Sequence, residues 1–184
     1  MCTPHRKYPR AKFHGYNGGM YFVTVCTRDK QSYFGQIRND KMQLSPLGVI
    51  LEDNLSDLSR HFPDVEVPLS VVMPNHFHAI IVIKKGHTVS HENMGRLNLS
   101  ARLAVATGRD PTLATHYNSR LATVVGSIKS HVTRCARQNA IVFGWQPRYH
   151  DHIIRNERDL NNIADYVENN VARWASDCFY QERQ

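Results

Sequence analysis

Residues 71–83 read VVMPNHFHAIIVI, and this stretch decides how the rest of the chain can be arranged. The turn dipeptide Pro74-Asn75 separates two runs of aliphatic residues, which is typical of two strands joined as a hairpin. We expect these strands at residues 65–72 and 76–83. The stretch therefore predicts an antiparallel strand pair at the centre of the fold.

Two histidines, His76 and His78, lie in the second strand among Val, Ile, Ala and Phe. Alternate residues of a strand point to the same face, so both imidazoles should project side by side while Phe77 points to the opposite face. Such a pair suits a divalent metal. Two hydrogen-bonded histidines at a strand edge would give the same pattern, and the spacing alone does not separate the two interpretations.

Hydrophobic spacing and capping residues predict the remaining elements. They are a strand at 20–27, a helix that Ser45 caps and that runs to about His61, a helix that Ser119 caps, a strand at 148–154, and a last helix that Asn156 caps. The order β-α-β-β-α-β is the ferredoxin-like arrangement. We expect one α+β domain over residues 1–184, with helices on one face of an antiparallel sheet plus a C-terminal helix. Residues 84–118 show no sustained period and predict a long, mobile insertion loop.

The chain has 184 residues, a net charge of +7 and an isoelectric point of about 9.4. The segment from Lys84 to Arg155 contains eleven basic residues but only three acidic ones, and four more basic residues lie within 6–12. This asymmetry favours a polyanionic partner, with nucleic acid as the first candidate. Ordinary solubility charge is the alternative.

The composition argues against export and against a membrane partner. No apolar run reaches the length of a membrane span, and the basic N-terminus lacks the apolar region of a secretory signal. We therefore expect a cytoplasmic protein. No CxxC pair occurs, which predicts reduced thiols for the four cysteines, Cys2, Cys26, Cys135 and Cys178.

The last predicted helix carries a second pair of polar residues, Tyr166 and Asn170. The two are four positions apart and share a helical face. Asn170 offers an amide oxygen, and Tyr166 offers a phenol that can act as a covalent nucleophile if its oxygen is activated. A tyrosine that simply packs in the core is the alternative for this segment taken alone.

Together these segments resemble the single-tyrosine HUH transposases, most closely the REP-associated tyrosine transposases of bacteria. The segments that carry the resemblance follow the family's order and spread over most of the chain. They are YNGGMYFVT at 16–24, MPNHFH at 73–78, SIKS at 127–130, WQPRYHDHIIR at 145–155 and YVENN at 166–170.

The resemblance implies a role for each matching residue. His76 and His78 would be metal ligands, Asn170 a further polar ligand, and Tyr166 the nucleophile. The metal would be Mg²⁺ or Mn²⁺, and the fold would be the ferredoxin-like one. The phenolate of Tyr166 would need the metal or nearby cations to favour it, with Arg155 or His152 as candidates.

The implied activity is that of a metal-dependent endonuclease and strand transferase acting on single-stranded DNA beside a hairpin. Tyrosine attack would leave a 5′-phosphotyrosine and a free 3′-OH, and a second 3′-OH would reverse the step. Members of this kind act as monomers or as dimers, so either assembly is compatible with the resemblance.

Basic side chains then become candidates for contacts with the DNA backbone. We expect these contacts from Arg6, Lys7, Arg10, Lys12, Lys129, Arg134, Arg137, Arg148 and Arg155. Aromatic side chains could stack on unpaired bases, with Tyr8, Tyr16 and Tyr21 as candidates.

Several alternatives stay open. Tyr149 and Tyr180 compete with Tyr166 as nucleophile, and His150 with His152 forms a second H-x-H pair. A non-catalytic nucleic-acid-binding module would use the histidines and Tyr166 for packing. A metallohydrolase of small phosphate esters would need neither the basic arm nor the long loop.

Overall fold

A computed structural model of the chain describes residues 15–84 and 119–180. The predicted basic arm at 6–12 and nearly all of the predicted insertion loop at 84–118 lie outside the described residues. Within them, none of the helices is both long and apolar enough to cross a membrane.

Six strands and four helices make up the described part of the chain, with a short 3-10 turn at Arg28–Lys30 and another at Trp174–Ser176. The strands are β1 Gly19–Cys26, β2 Gly35–Arg38, β3 Lys41–Leu44, β4 Val65–Met73, β5 His76–Ile83 and β6 His150–Ile154. The helices are α1 Pro46–Ser56, α2 Leu58–His61, α3 Arg120–Gln138 and α4 Glu157–Glu168.

The main sheet has four strands in the order β4-β5-β1-β6, and each neighbouring pair is antiparallel. This order and the α+β class confirm the predicted ferredoxin-like arrangement. Strand β5 lies inside the sheet, and all but one of its residues are buried. The β1–β5 register places Thr24 directly opposite His78.

The two faces of the sheet carry different kinds of residue. On one face, Val23 and Phe77 join a core with Leu51 of α1 and Ile128 of α3. The alternate residues of β1 and β5 point to the opposite face, where the ring of Phe22 meets that of Tyr166 from α4. Helices α1 and α3 therefore cover the apolar core, and α4 lies over the face with the histidines.

Local signals explain where the helices begin. Ser45 accepts a hydrogen bond from the Gly48 amide, with Pro46 in the first turn of α1. Ser119 caps α3 through the Ala122 amide, and Asn156 caps α4 through the Asp159 amide. All three predicted caps are confirmed.

The structure differs from the sequence-based expectations in three places. The predicted helix up to His61 breaks at Asp57 into α1 and α2. The short hairpin β2–β3 was not predicted. Helix α4 ends at Glu168, so Asn170 lies in the turn beyond the helix, although its amide still bonds to the Val167 carbonyl. Cys26, Cys135 and Cys178, the three described cysteines, form no disulfide with one another.

Candidate metal and tyrosine site

The two histidines of β5 lie side by side on one face of the sheet, as their spacing predicted. The His76 side chain is fully buried and His78 is nearly so. Their Nε2 atoms are 3.0 Å apart. A pair of imidazoles this close can share a proton or a cation.

Hydrogen bonds at the other ring nitrogen hold each imidazole in place. Nδ1 of His76 is 2.8 Å from Oδ1 of Asn75, the residue of the β4–β5 turn. Nδ1 of His78 is 2.8 Å from Oγ1 of Thr24 on the neighbouring strand. Both Nε2 atoms are thereby aimed into the same space, which is how outer partners orient histidine ligands in metal sites.

Burial keeps both imidazoles neutral. It lowers the pKa of His76 to about 3, with a smaller contribution from the charge of Lys30. Burial and the neighbouring His76 hold the pKa of His78 well below its usual range. Neutral imidazole is the charge state that binds metals, so neither ring has to lose a net positive charge at pH 7 before it can act as a ligand.

A third candidate ligand, Asp177, was missed by the sequence analysis. Its carboxylate and the ring nitrogens of His76 and His78 offer ligand atoms within 4.8 Å of one another. No spacing rule points to Asp177, because the turns between α4 and the end of the described chain bring it back to the site. The sequence offered only a weak signal, because Asp177 is eleven positions after Tyr166 and another acidic residue, Glu168, lies nearer.

Asn170 lies beside this group, and its role as a further ligand stays a prediction. Its Nδ2 donates to Oδ2 of Asp177 at 3.2 Å. Its Oδ1 is buried and has no hydrogen-bond partner among the described residues. A buried oxygen acceptor next to a carboxylate and two neutral imidazoles fits a divalent cation, because the combined nitrogen and oxygen donors are those that Mn²⁺ and related ions accept.

Tyr166 brings its hydroxyl to the same place from α4. The oxygen is 3.4 Å from Nε2 of His78 and 3.3 Å from Oδ2 of Asp177. Burial raises the pKa of Tyr166, and the Asp177 carboxylate raises it further. The phenol is therefore protonated, with a carboxylate placed to accept its proton.

The sequence hypothesis that Arg155 or His152 favours the phenolate is not supported. His152 pairs instead with Asp159 of α4 at 2.8 Å. Neither residue is among the groups that shift the pKa of Tyr166. His152 lies opposite Phe22 in the β1–β6 register and so projects from the same face of the sheet as His78, but Asp159 of α4 holds its ring.

The end of the described chain covers the two imidazoles. The Phe179 ring lies 4.5 Å from the His76 ring, centroid to centroid. Its carbonyl accepts a hydrogen bond from Nδ2 of Asn75 at 2.8 Å, and Lys30 donates to the Cys178 carbonyl at 3.0 Å. These bonds hold the segment that carries Asp177.

The predicted DNA contacts on α3 fall into two groups. Lys129 donates to the Gln146 carbonyl at 2.6 Å beside the Trp145 ring, so it holds the 145–146 segment against the helix. Arg134 and Arg137 are exposed and, with Lys129, line a shallow depression of about 410 Å³. Arg148 and Arg155 are also exposed. Their contacts with DNA stay predictions.

The other aromatic and histidine candidates do not join the site. Tyr16 and Tyr21 are buried and stacked on each other, so the prediction that they stack on bases is wrong. Tyr149 packs against the core. In the part of the chain that the structure describes, the single cluster of three potential metal ligands is His76, His78 and Asp177, and it does not include the second H-x-H pair.

The fold and the site define a ferredoxin-like α+β protein with two histidines and a tyrosine gathered on one face of the sheet. A solved structure of a REP-associated tyrosine transposase bound to a REP hairpin has the same fold, with a TM-score of 0.55 and 20% sequence identity over 94% of this chain and 74% of that one. No protein-family model matches the chain.

One sequence relative extends over nearly the whole chain. It is an uncharacterised protein of Haemophilus influenzae, 34% identical over 178 residues, which are 96% of this chain and 93% of that protein. The chain belongs to the same family as this Haemophilus protein.

Proposed function

We propose that the protein is an HUH-type tyrosine transposase, a metal-dependent enzyme that cuts and rejoins single-stranded DNA next to hairpins. The observation that carries the proposal is the Tyr166 hydroxyl, which reaches 3.4 Å from Nε2 of His78 inside a cluster of metal-ligand atoms. The shared fold with a REP-associated tyrosine transposase supports the same assignment.

The metal would be held by His76, His78 and Asp177, with the unpartnered Oδ1 of Asn170 as a further donor. A Mg²⁺ or Mn²⁺ ion bound there supplies Lewis-acid polarisation of the scissile phosphate and offsets the charge that develops on it. The protein's part is to hold these four side chains on rigid or well-bonded segments.

Tyr166 supplies the nucleophile. Its oxygen forms a bond to phosphorus while the bond from phosphorus to the 3′ oxygen breaks, and that oxygen takes a proton from water, which leaves a 5′-phosphotyrosine and a 3′-OH. The phenol must lose its proton during attack, and Oδ2 of Asp177 at 3.3 Å is placed to accept it. The reverse attack by another 3′-OH joins strands at the same site.

The DNA partner follows from the charge of the chain. The exposed cations Arg134, Arg137, Arg148 and Arg155 can bind phosphates of a hairpin stem or of the flanking strand. The enzyme would act on bacterial DNA in the cytoplasm, as a monomer or a homodimer.

A covalent-adduct experiment tests the proposal. The protein is incubated with single-stranded REP-like hairpin oligonucleotides that carry randomised flanks, with Mn²⁺ or Mg²⁺, and resolved on a denaturing gel. We expect a metal-dependent protein–DNA adduct that Tyr166→Phe abolishes while hairpin binding persists. Tyr149→Phe and Tyr180→Phe are matched controls that keep the adduct. Full adduct formation by Tyr166→Phe would overturn the assignment.

A non-catalytic DNA-binding protein is the second candidate. The observation in its favour is the Phe179 ring, which covers the imidazoles together with the segment that carries Asp177. This candidate predicts hairpin binding that is indifferent to divalent metal and no adduct with any hairpin.

A further inference from the structure

The tautomer of His76 is fixed by Asn75. Nδ2 of Asn75 donates to two carbonyls, Lys30 O at 3.1 Å and Phe179 O at 2.8 Å. Carbonyls only accept, so the amide orientation is set and Oδ1 faces Nδ1 of His76. Nδ1 must donate, and Nε2 of His76 therefore carries a lone pair in the neutral ring.

The tautomer of His78 follows from that of His76. The two Nε2 atoms are 3.0 Å apart, and two lone pairs facing each other at this distance repel. The proton between them must therefore belong to Nε2 of His78. With Nε2 protonated, Nδ1 of the neutral His78 ring is an acceptor, and the Thr24 hydroxyl at 2.8 Å donates to it.

A cation between the imidazoles needs the opposite tautomer of His78. Both Nε2 atoms must then offer lone pairs, so His78 must carry its proton on Nδ1. This inference rests on the proposed metal site. We propose that Thr24 is a positioning residue whose hydroxyl changes from donor to acceptor and so lets His78 bind the metal. One proton leaves Nε2 to water and one is gained at Nδ1 from water, so the ring stays neutral in both states.

The chemistry of the Thr24 side chain suits this role. A hydroxyl can donate or accept by rotation, whereas the amide of Asn75 is held in one orientation by its carbonyl partners. Thr24 is 6% exposed, so water has little room to replace it. Without the hydroxyl, the metal-binding tautomer would leave a buried N–H unsatisfied, which is unfavourable.

Two measurements on the full-length protein test this role. Long-range ¹H–¹⁵N NMR reads the protonated nitrogen of His78 without metal and with Mg²⁺, and calorimetry gives the Mn²⁺ affinity. In the wild type we expect His78 protonated on Nε2 without metal and on Nδ1 with Mg²⁺. Thr24→Val should keep the Nε2 tautomer and bind Mn²⁺ about 10-fold to 100-fold more weakly. Thr24→Ser should restore binding.

Thr123→Val is the matched control, because it removes an exposed hydroxyl of α3 and should leave Mn²⁺ affinity unchanged. The proposed role of Thr24 would be wrong if Thr24→Val bound Mn²⁺ as tightly as the wild type does. It would also be wrong if His78 kept the same tautomer with and without Mg²⁺. Either result would leave the proposed metal site itself standing. If the wild type binds neither ion, the proposed metal site fails as well. The comparison of the wild-type His78 tautomer with and without Mg²⁺ still tests the proposal if Thr24→Val does not fold.

Discussion

The two buried imidazoles make the stability of the protein depend on pH. Burial lowers the pKa of His76 to about 3 and holds that of His78 well below its usual range. In the unfolded chain both titrate near 6.5, so below that pH the unfolded state binds more protons and stability rises with pH. We expect the metal-free protein to lose up to about 1.4 kcal/mol of unfolding free energy per pH unit for each imidazole as the pH falls from about 6.5 toward 3.

Urea unfolding in the presence of a chelator at pH 7.5, 6.5 and 5.5 measures this dependence. His76→Gln and His78→Gln should each flatten the slope, whereas His150→Gln, an exposed site on β6, should leave it unchanged. Equal stability of the wild type at pH 5.5 and 7.5 would contradict the lowered pKa values.

Asp177 is the residue whose role is most open to a direct test. Asp177→Asn keeps the shape of the side chain and removes its charge, so we expect Mn²⁺ affinity to fall by about tenfold or more. Titration calorimetry measures the change, and Asp165→Asn on the exposed side of α4 is the control. Unchanged Mn²⁺ affinity would mean that the metal is held by His76, His78 and Asn170 without Asp177.

The sequence located those residues of the site whose positions follow from regular spacing. His76 and His78 share a face because a strand alternates, and Tyr166 precedes Asn170 by about one helical turn. Thr24 could not be found in this way, because its contact with His78 depends on the β1–β5 register across 54 residues. Asp177 depends on irregular turns that no periodicity encodes.

At the scale of elements, two helical glycines should respond to alanine in opposite ways. A Cβ at Gly48 of α1 would lie 2.1 Å from the Phe34 carbonyl oxygen, whereas a Cβ at Gly126 of α3 meets nothing within 4 Å. Gly126→Ala should stabilise the protein by about 0.5–1 kcal/mol through helix propensity. Gly48→Ala should destabilise it, because backbone must move to admit the methyl group.

Thermal and urea unfolding of the two variants measure the difference, each beside the wild type. Because both variants add the same methyl group to a helical glycine, a difference in their unfolding free energies reports the close approach of α1 to the chain before β2. A stabilised Gly48→Ala variant would show that this approach is looser than the structure describes.

The elements that sequence reasoning found are those with a strong hydrophobic period. Helix α3 buries residues at helical spacing, and β5 is an almost continuous apolar run, so the start of α3 and both ends of β5 were predicted to the residue. The β2–β3 hairpin has no fully buried residue and was missed. Its turn residues Asn39 and Asp40 both have positive φ and were the available signal.

The candidate site and some of the exposed cations lie on opposite sides of the main sheet. Helix α3 packs on the face of the sheet opposite to the histidines, so Arg134 and Arg137 on its exposed side lie across the sheet from Tyr166. Contacts there can orient DNA without touching the reacting phosphate. Binding and chemistry should therefore be separable by mutation.

The double variant Arg134→Gln/Arg137→Gln tests this separation. Since each phosphate contact contributes about 0.9 to the slope of log affinity against log salt on duplex DNA, we expect weaker hairpin binding and a slope reduced by up to about 1.8. The rate of adduct formation at saturating DNA should stay near that of the wild type. Fluorescence anisotropy over a salt series measures the slope, and quenched-flow gels measure the rate of adduct formation.

The control variant Lys41→Gln/Arg60→Gln removes the same net charge from other exposed positions and should change the slope less. An equal effect of the control pair would mean that net charge, rather than α3, attracts the DNA.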